Sequence, residues 1–162
     1  DDFAYTPEQN IAHSMTALMA QNKGAGKKNR MQEGFRCGMV LESVYGIFIF
    51  LVCFIFAKPL MHLFVKDEEV IMHGVTYLHL ISIMYILPAF TNGIQGFFRG
   101  IGDLKITLIS SLVNMTVRVI VAAPLVLNFH LGIEALPYSY LAGWIGMLVA
   151  ELPLLIRTYK TY

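Results

Sequence analysis

The chain has 162 residues, of which 56% are apolar and 14% charged, and its mean hydropathy is +0.60. Soluble domains average about 45–50% apolar and about 25% charged residues, so both values are typical of a membrane protein. The net charge of +1 argues against a nucleic-acid-binding surface. Cys37 and Cys53 fall on one predicted helix, roughly 24 Å apart, which is too far for a mutual disulfide.

Helical segments account for nearly the whole chain. Residues 1–22 have helical periodicity but carry too many polar groups to cross a bilayer alone. Four apolar segments follow, each near the roughly 20 residues that a membrane-spanning helix requires. They cover residues 35–57, 70–98, 105–129 and 133–156. The expected fold class is all-α: a polytopic membrane helix bundle with four full transmembrane helices and a polar N-terminal helix.

Short polar connections separate these helices. Asp67, Glu68 and Glu69 precede the second span, where carboxylates offset the unpaired N–H groups at a helix start. Residues 99–103 and 128–132 are typical of tight turns. The chain enters a helical segment at once and lacks an initiator methionine, so we expect it to be a piece of a longer protein.

Basic residues predict which connections are cytoplasmic. Alternate connections carry nine and two lysines or arginines, and the richer set should lie inside the cell. The C-terminal tail belongs to that set, so we expect a cytoplasmic C-terminus in the plasma membrane. The nine are Lys23, Lys27, Lys28, Arg30, Arg36, Arg99, Lys105, Arg157 and Lys160, and the two are Lys58 and Lys66.

The third span carries a polar face. Thr107, Ser111, Asn114 and Arg118 recur at steps of four, three and four, which places them on one side of a helix. An arginine near mid-membrane costs about 2.5–3.5 kcal/mol on insertion scales, so it requires a partner or a water-filled cavity. Two interpretations stay open for Arg118: an interhelical lock, or a residue that lines a cavity.

A second polar face lies on the preceding span. Tyr85, Pro88, Asn92, Gln95 and Arg99 follow the same helical spacing. Pro88 removes a backbone donor and should kink the helix. Packing is the preferred interpretation of the glycines near the end of this helix, which include a Gly96-x-x-x-Gly100 motif. A kinked helix with a polar face is also what a transport path requires.

Three acidic residues lie in or beside the predicted spans. A buried carboxylate could carry a proton, which makes Glu42 a candidate for ion coupling. The preferred interpretation is that Glu42 and Glu151 are solvated near the cytoplasmic interface or paired with basic neighbours, such as Arg157 for Glu151. Glu134 should be solvated at the outer interface. On the N-terminal helix, Gln9 is a candidate for the substrate path.

Patterns for catalysis or metal binding are not evident. No two histidines share a face with metal-ligand spacing, and GAGKK at residues 24–28 lacks the first glycine and the Ser/Thr of a phosphate loop. Nucleophile elbows, paired catalytic carboxylates and dinucleotide fingerprints do not occur. We therefore expect neither an enzyme nor a cofactor other than a coupling ion.

Three stretches resemble one family. QNKGAGKKNRMQEGFRCG (residues 21–38) is similar to the connector after the eighth helix of multidrug and toxin extrusion (MATE) transporters. GIQGFFRGIGDLKITLISSLVNMTVRV (residues 93–119) resembles their tenth helix, its cytoplasmic turn and their eleventh helix. LAGWIGMLVAELPLL (residues 141–155) is similar to the last helix. Residues 1–162 then correspond to a partial C-terminal lobe, from the eighth helix to the twelfth.

The resemblance implies a pseudo-symmetric transporter of two six-helix lobes. It implies alternating access and export of mainly cationic drugs in exchange for H⁺ or Na⁺, with the N-terminal lobe, the bilayer and small cationic drugs as partners. The candidate path residues are Tyr85, Asn92, Gln95, Asn114, Arg118 and Gln9. Two alternatives stay open: a lipid-linked oligosaccharide flippase of the same superfamily, and a non-transporting helix-bundle subunit.

One departure from the family pattern concerns ion coupling. Part of the family places an acidic residue in the tenth helix, whereas residues 70–98 contain none. The sequence therefore predicts that coupling belongs to the other lobe. On this interpretation Glu42→Gln should leave drug resistance nearly unchanged, and Arg118→Ala should impair it.

Overall fold

The computed structural model describes residues 2–127 and 135–161, with side chains from Tyr5 onward. This part of the chain is helical throughout and contains no strand. The seven α-helices are α1 (Asp2–Gly24), α2 (Lys28–Ile55), α3 (Ala57–Phe64), α4 (Glu68–Ser82), α5 (Ile86–Gly100), α6 (Leu104–Leu127) and α7 (Ala135–Tyr159).

Four helical spans are long and apolar enough to cross a membrane: Lys28–Ile55, Glu68–Gly100, Leu104–Leu127 and Ala135–Tyr159. Large apolar side chains are exposed on their outer faces, as at Val40, Val44 and Phe48 of α2. A surface of this kind faces lipid, because acyl chains take the place of water around it. The predicted all-α membrane bundle is confirmed.

The first span begins seven residues earlier than predicted, at Lys28 instead of residue 35. Lys28, Arg30 and Gln32 are good helix formers, so the helix extends beyond its apolar part. It ends at Ile55 because Pro59 lacks an N–H group and its ring clashes with the carbonyl four residues back. Pro59 is then accommodated in the first turn of the short helix α3, which the sequence analysis did not predict.

The second span is a helical segment of 33 residues. A 3₁₀ segment, Ile83–Tyr85, joins α4 to α5. It directly precedes Pro88, whose ring would clash with the carbonyl of Met84 in a regular α-helix. At the start of the span, the Asp67 side chain accepts hydrogen bonds from the Glu69 and Val70 amides at 2.9 and 3.4 Å. The predicted acidic helix start is therefore confirmed.

Helix α1 packs on α2 and α5, while α6 pairs with α7. A Cβ atom at Gly96 would lie 2.7 Å from the Ala12 carbonyl oxygen, and one at Gly100 would lie 2.6 Å from that of Thr16. The Thr16 hydroxyl donates to the Gly96 carbonyl at 3.2 Å. The Gly96-x-x-x-Gly100 motif thus lets two helix backbones approach closely.

The remaining boundaries differ slightly from the predictions. The last span ends at Tyr159 instead of residue 156. The predicted turn at residues 128–132, the end of the third span, the start of the fourth, and Glu134 lie outside the described residues.

Candidate functional site

A cavity of about 390 Å³ opens between the helices on the side of the bundle away from the α1–α2 connection. This volume is within the range of small-molecule sites, which is about 300–1,000 Å³. Its walls are aromatic and apolar with one cationic group. The lining residues are Tyr5, Ile81, Met84, Tyr85, Pro88, Arg118, Tyr140 and Trp144.

Arg118 supplies the cationic group of the cavity. Its guanidinium carbon lies 3.7 Å from the centre of the Tyr140 ring. This distance is well within the range of a cation–π interaction. Tyr5 and Trp144 stack beside it, with ring centroids 6.0 Å apart. The side chain therefore both joins α6 to α7 and lines the cavity, so the two interpretations left open by the sequence describe one arrangement.

The other predicted path residues are distributed over the bundle. Tyr85 lines the cavity with Arg118. Asn114 is buried, and its amide donates to the Met147 sulfur at 3.6 Å. Gln95 is buried between α5 and α7, where its amide donates to a Glu151 oxygen at 3.4 Å. Asn92 lies one turn beyond Pro88 and points toward α1 rather than into the cavity.

Gln9 does not join this group. It lies on the exposed face of α1 with Asn10, His13 and Ser14. A polar face of this kind is incompatible with lipid contact in a membrane bundle. Gln9 is therefore on a surface that requires water or further protein.

Two carboxylates were placed wrongly by the sequence analysis. Glu42 and Glu151 are each 0% exposed, whereas solvated or ion-paired side chains were expected. Glu42 lies fourteen residues after Lys28, about 21 Å along the helix, because the helix starts earlier than predicted. Glu151 contacts Gln95, and no ion pair with Arg157 forms in the described part of the chain.

Sequence reasoning missed a third buried carboxylate, that of Glu8. It is also 0% exposed and lies at the contact of α1 with α2 and α5. The Asn92 side chain stands beside it without reaching hydrogen-bond geometry. The signal was present, because Glu8, Ala12, Met15 and Met19 recur at steps of four, three and four, and all four are buried.

The family model MatE matches residues 1–124. The chain is 25% identical over 149 residues to a "Probable multidrug resistance protein NorM" of Thermotoga maritima, covering 91% of the chain and 31% of that protein. It is 24% identical over 147 residues to a protein of the same name from Halalkalibacterium halodurans, covering 90% and 31%. The chain thus spans about a third of the length of these curated relatives.

Two solved structures share the fold. One, described as the inward-facing conformation of a multidrug resistance MATE family transporter of the MOP superfamily, has a TM-score of 0.88 at 14% identity, covering 94% of the chain and 34% of that structure. The other, the MATE transporter ClbM in complex with Rb⁺, has a TM-score of 0.88 at 16% identity, covering 97% and 36%. With the family model matching most of its length, the chain belongs to the MATE family of transporters.

Proposed function

We propose that this chain is part of a multidrug efflux antiporter that exports cationic and other xenobiotic compounds in exchange for H⁺ or Na⁺. The cavity is the observation that carries the proposal. It provides aromatic faces inside a membrane bundle, and aromatic faces bind both apolar rings and organic cations. The guanidinium of Arg118 over Tyr140 is an internal example of a planar cation held by this wall.

The rest of the transporter is proposed to be a second helical lobe that covers the polar face of α1. Three observations support this arrangement: the curated relatives are about three times longer, the exposed face of α1 is polar, and the flanking helices expose apolar surface. Gln9 would then line the path between the lobes. The proposed location is the cytoplasmic membrane, with the C-terminus inside the cell.

Cysteine labelling tests this orientation in the full-length protein. A membrane-impermeant maleimide added outside intact cells should react with cysteines placed at Asp67 but not at Lys28 or Asp103. Labelling of all three positions after the cells are opened serves as the control for reactivity. The reverse pattern in intact cells would exclude the proposed topology.

Efflux measurements test the function itself. The full-length protein, expressed in cells that lack their own drug pumps, should lower the accumulation of a cationic dye and raise drug resistance. Arg118→Ala should impair both, because the substitution removes a wall of the cavity and its contact with Tyr140. The amount of protein in the membrane separates a folding defect from a transport defect. Unchanged dye accumulation with the well-expressed wild-type protein would contradict the proposal.

A further inference from the structure

The contact between α1 and α2 buries two carboxylates with no visible source of neutralisation. Glu8 and Glu42 are both fully buried, and none of their four carboxylate oxygens has a hydrogen-bond partner among the described residues. Glu8 is the charged side chain that faces Glu42. Without a cation nearby, two neighbouring carboxylates in an apolar environment favour a state with at least one proton bound, because burial and mutual repulsion both oppose the doubly ionised state.

A third helix closes the site. The Asn92 amide nitrogen of α5 is buried without a hydrogen-bond partner in the described structure, and it lies beside Glu8. The α5 backbone approaches from the same side, since a Cβ atom at Gly93 would lie 3.5 Å from the Glu42 Cγ atom. The site therefore combines two acids with one amide donor that can stabilise an ionised oxygen.

Among the described residues, no permanent cation lies beside the two carboxylates. The ionisable groups within electrostatic reach of Glu8 are Glu42 and three tyrosines: Tyr5 on α1, Tyr45 on α2 and Tyr85 of the 3₁₀ segment. No lysine, arginine or histidine of the described residues acts on either carboxylate. The described part of the lobe therefore supplies no cation that neutralises the pair.

We propose that Glu8 and Glu42 bind a single transported proton, which makes this pair the coupling site of the lobe. The inference rests on the proposed antiport function, and it locates coupling on α1 and α2 instead of in the other lobe. A proton from outside forms an O–H bond on one carboxylate, which leaves the pair with a single negative charge. Release to the cytoplasm breaks that bond and leaves the electron pair on oxygen, where the Asn92 amide can donate to it.

The position of the pair explains how substrate and proton would exclude each other. Tyr5 and Tyr85 line the cavity and also lie near Glu8, which is one helical turn from Tyr5. An organic cation in the cavity stabilises the ionised pair, and a bound proton removes that attraction. By reciprocity, the proton must weaken substrate binding by the same factor.

A proton fits the site better than a metal cation. Hard metal cations take six or more oxygen ligands, whereas the two carboxylates and the Asn92 amide oxygen supply at most five. The described residues contain no group of three or more side chains suited to a metal ion.

The first experiment measures proton release by the purified full-length protein. Addition of a transported organic cation in weakly buffered detergent solution should release protons from the wild-type protein, reported by a pH-sensitive dye. Glu8→Gln and Glu42→Gln should release none, and their substrate affinity should lose its pH dependence, which in the wild type approaches about tenfold per pH unit for one competing proton. Glutamine resembles the neutral acid in shape, so both variants should fold.

Glu151→Gln is the matched control, because Glu151 is equally buried in the same lobe but contacts Gln95. It should keep both the proton release and the pH dependence. Glu42→Asp retains a titratable group, so it should show the proton release and the pH dependence that Glu42→Gln lacks. Proton release that persists in both Glu8→Gln and Glu42→Gln would overturn the inference. So would substrate displacement by Na⁺ at constant pH that these two variants abolish.

A measurement on the wild-type protein is independent of how the variants fold. A hydrophobic carbodiimide reacts with protonated carboxyl groups in apolar surroundings, so mass spectrometry should find Glu8 or Glu42 modified. A bound organic cation should protect them, because it favours the ionised form. Unmodified Glu8 and Glu42 would overturn the inference. A wild-type protein that binds and transports none of the tested compounds, yet is modified at these residues, would instead contradict the proposed function.

Discussion

The aromatic cavity and the carboxylate pair lie one helical turn apart, yet their charged groups have opposite surroundings. In the cavity, the Arg118 guanidinium lies on the Tyr140 ring and borders open space. At the α1–α2–α5 contact, Glu8 and Glu42 are enclosed without a partner in the described structure. Side-chain size explains the difference.

Glycines of α5 let α1 and α2 approach until no space is left around the two acids, as at Gly93 and Gly96. Tyrosine and tryptophan rings hold the helices apart around the cavity. Two polar regions in the same bundle thus become a closed site suited to a proton and an open site suited to a larger ligand. Changes in side-chain size or charge should break this contrast in measurable ways.

A larger side chain at the α1–α5 contact should have the largest effect on stability. In Gly100→Leu the new side chain would meet the Thr16 carbonyl, which lies 2.6 Å from an ideal Cβ position, so α1 and α5 must separate. We expect a loss of about 3 kcal/mol in the free energy of unfolding, or no folded protein at all. Thermal unfolding of the purified full-length protein measures this. Gly24→Leu is the control, because no atom lies within 4 Å of its Cβ position.

Removing a buried acid should have the opposite effect and make the protein more stable. Glu42→Met replaces an unpartnered carboxyl group with an apolar side chain of similar size. We expect the free energy of unfolding to rise by about 1–3 kcal/mol, because an unsatisfied polar group no longer has to be buried. The midpoint of thermal unfolding should increase while proton release is lost. A lower midpoint would show that Glu42 has a stabilising partner outside the described residues.

The cation–π contact of the cavity should have the smallest effect. Tyr140→Leu removes the ring under Arg118 and should cost about 0.5–2 kcal/mol of stability, depending on how dry the cavity is. Tyr140→Phe keeps the ring and should cost much less. Equal losses for the two substitutions would assign the stability to the hydroxyl group instead of to the ring face.

Much of this arrangement could be predicted from sequence patterns that act over a few residues. The acidic start of α4 and the role of Gly96 and Gly100 in helix packing both follow from local chemistry or helical spacing. Hydropathy also located the four spans, because each must supply its own apolar length.

The errors at Glu42 and Glu8 have two separate causes. Hydropathy shows which residues of a helix lie in the apolar part of a bilayer, but it does not show where the helix begins. The seven helical residues before residue 35 were therefore assigned to a loop. This error placed Glu42 two turns into the first span, whereas it lies fourteen residues, about 21 Å, after the first residue of α2. Glu8 was overlooked because the polar helix was judged by its many neutral polar groups instead of by the buried face at steps of four, three and four.

The amino-acid sequence by itself determined that this protein is a membrane helix bundle with polar faces, because apolar length and helical period are properties of single segments. Only the tertiary structure decided which faces meet. Glu8 and Gln9 are neighbours in sequence and differ by about 100° around α1, yet one is enclosed and the other exposed. The spacing on α1 marks the face that carries Glu8, but the partner that this face meets depends on where the glycines of α5 let α1 approach.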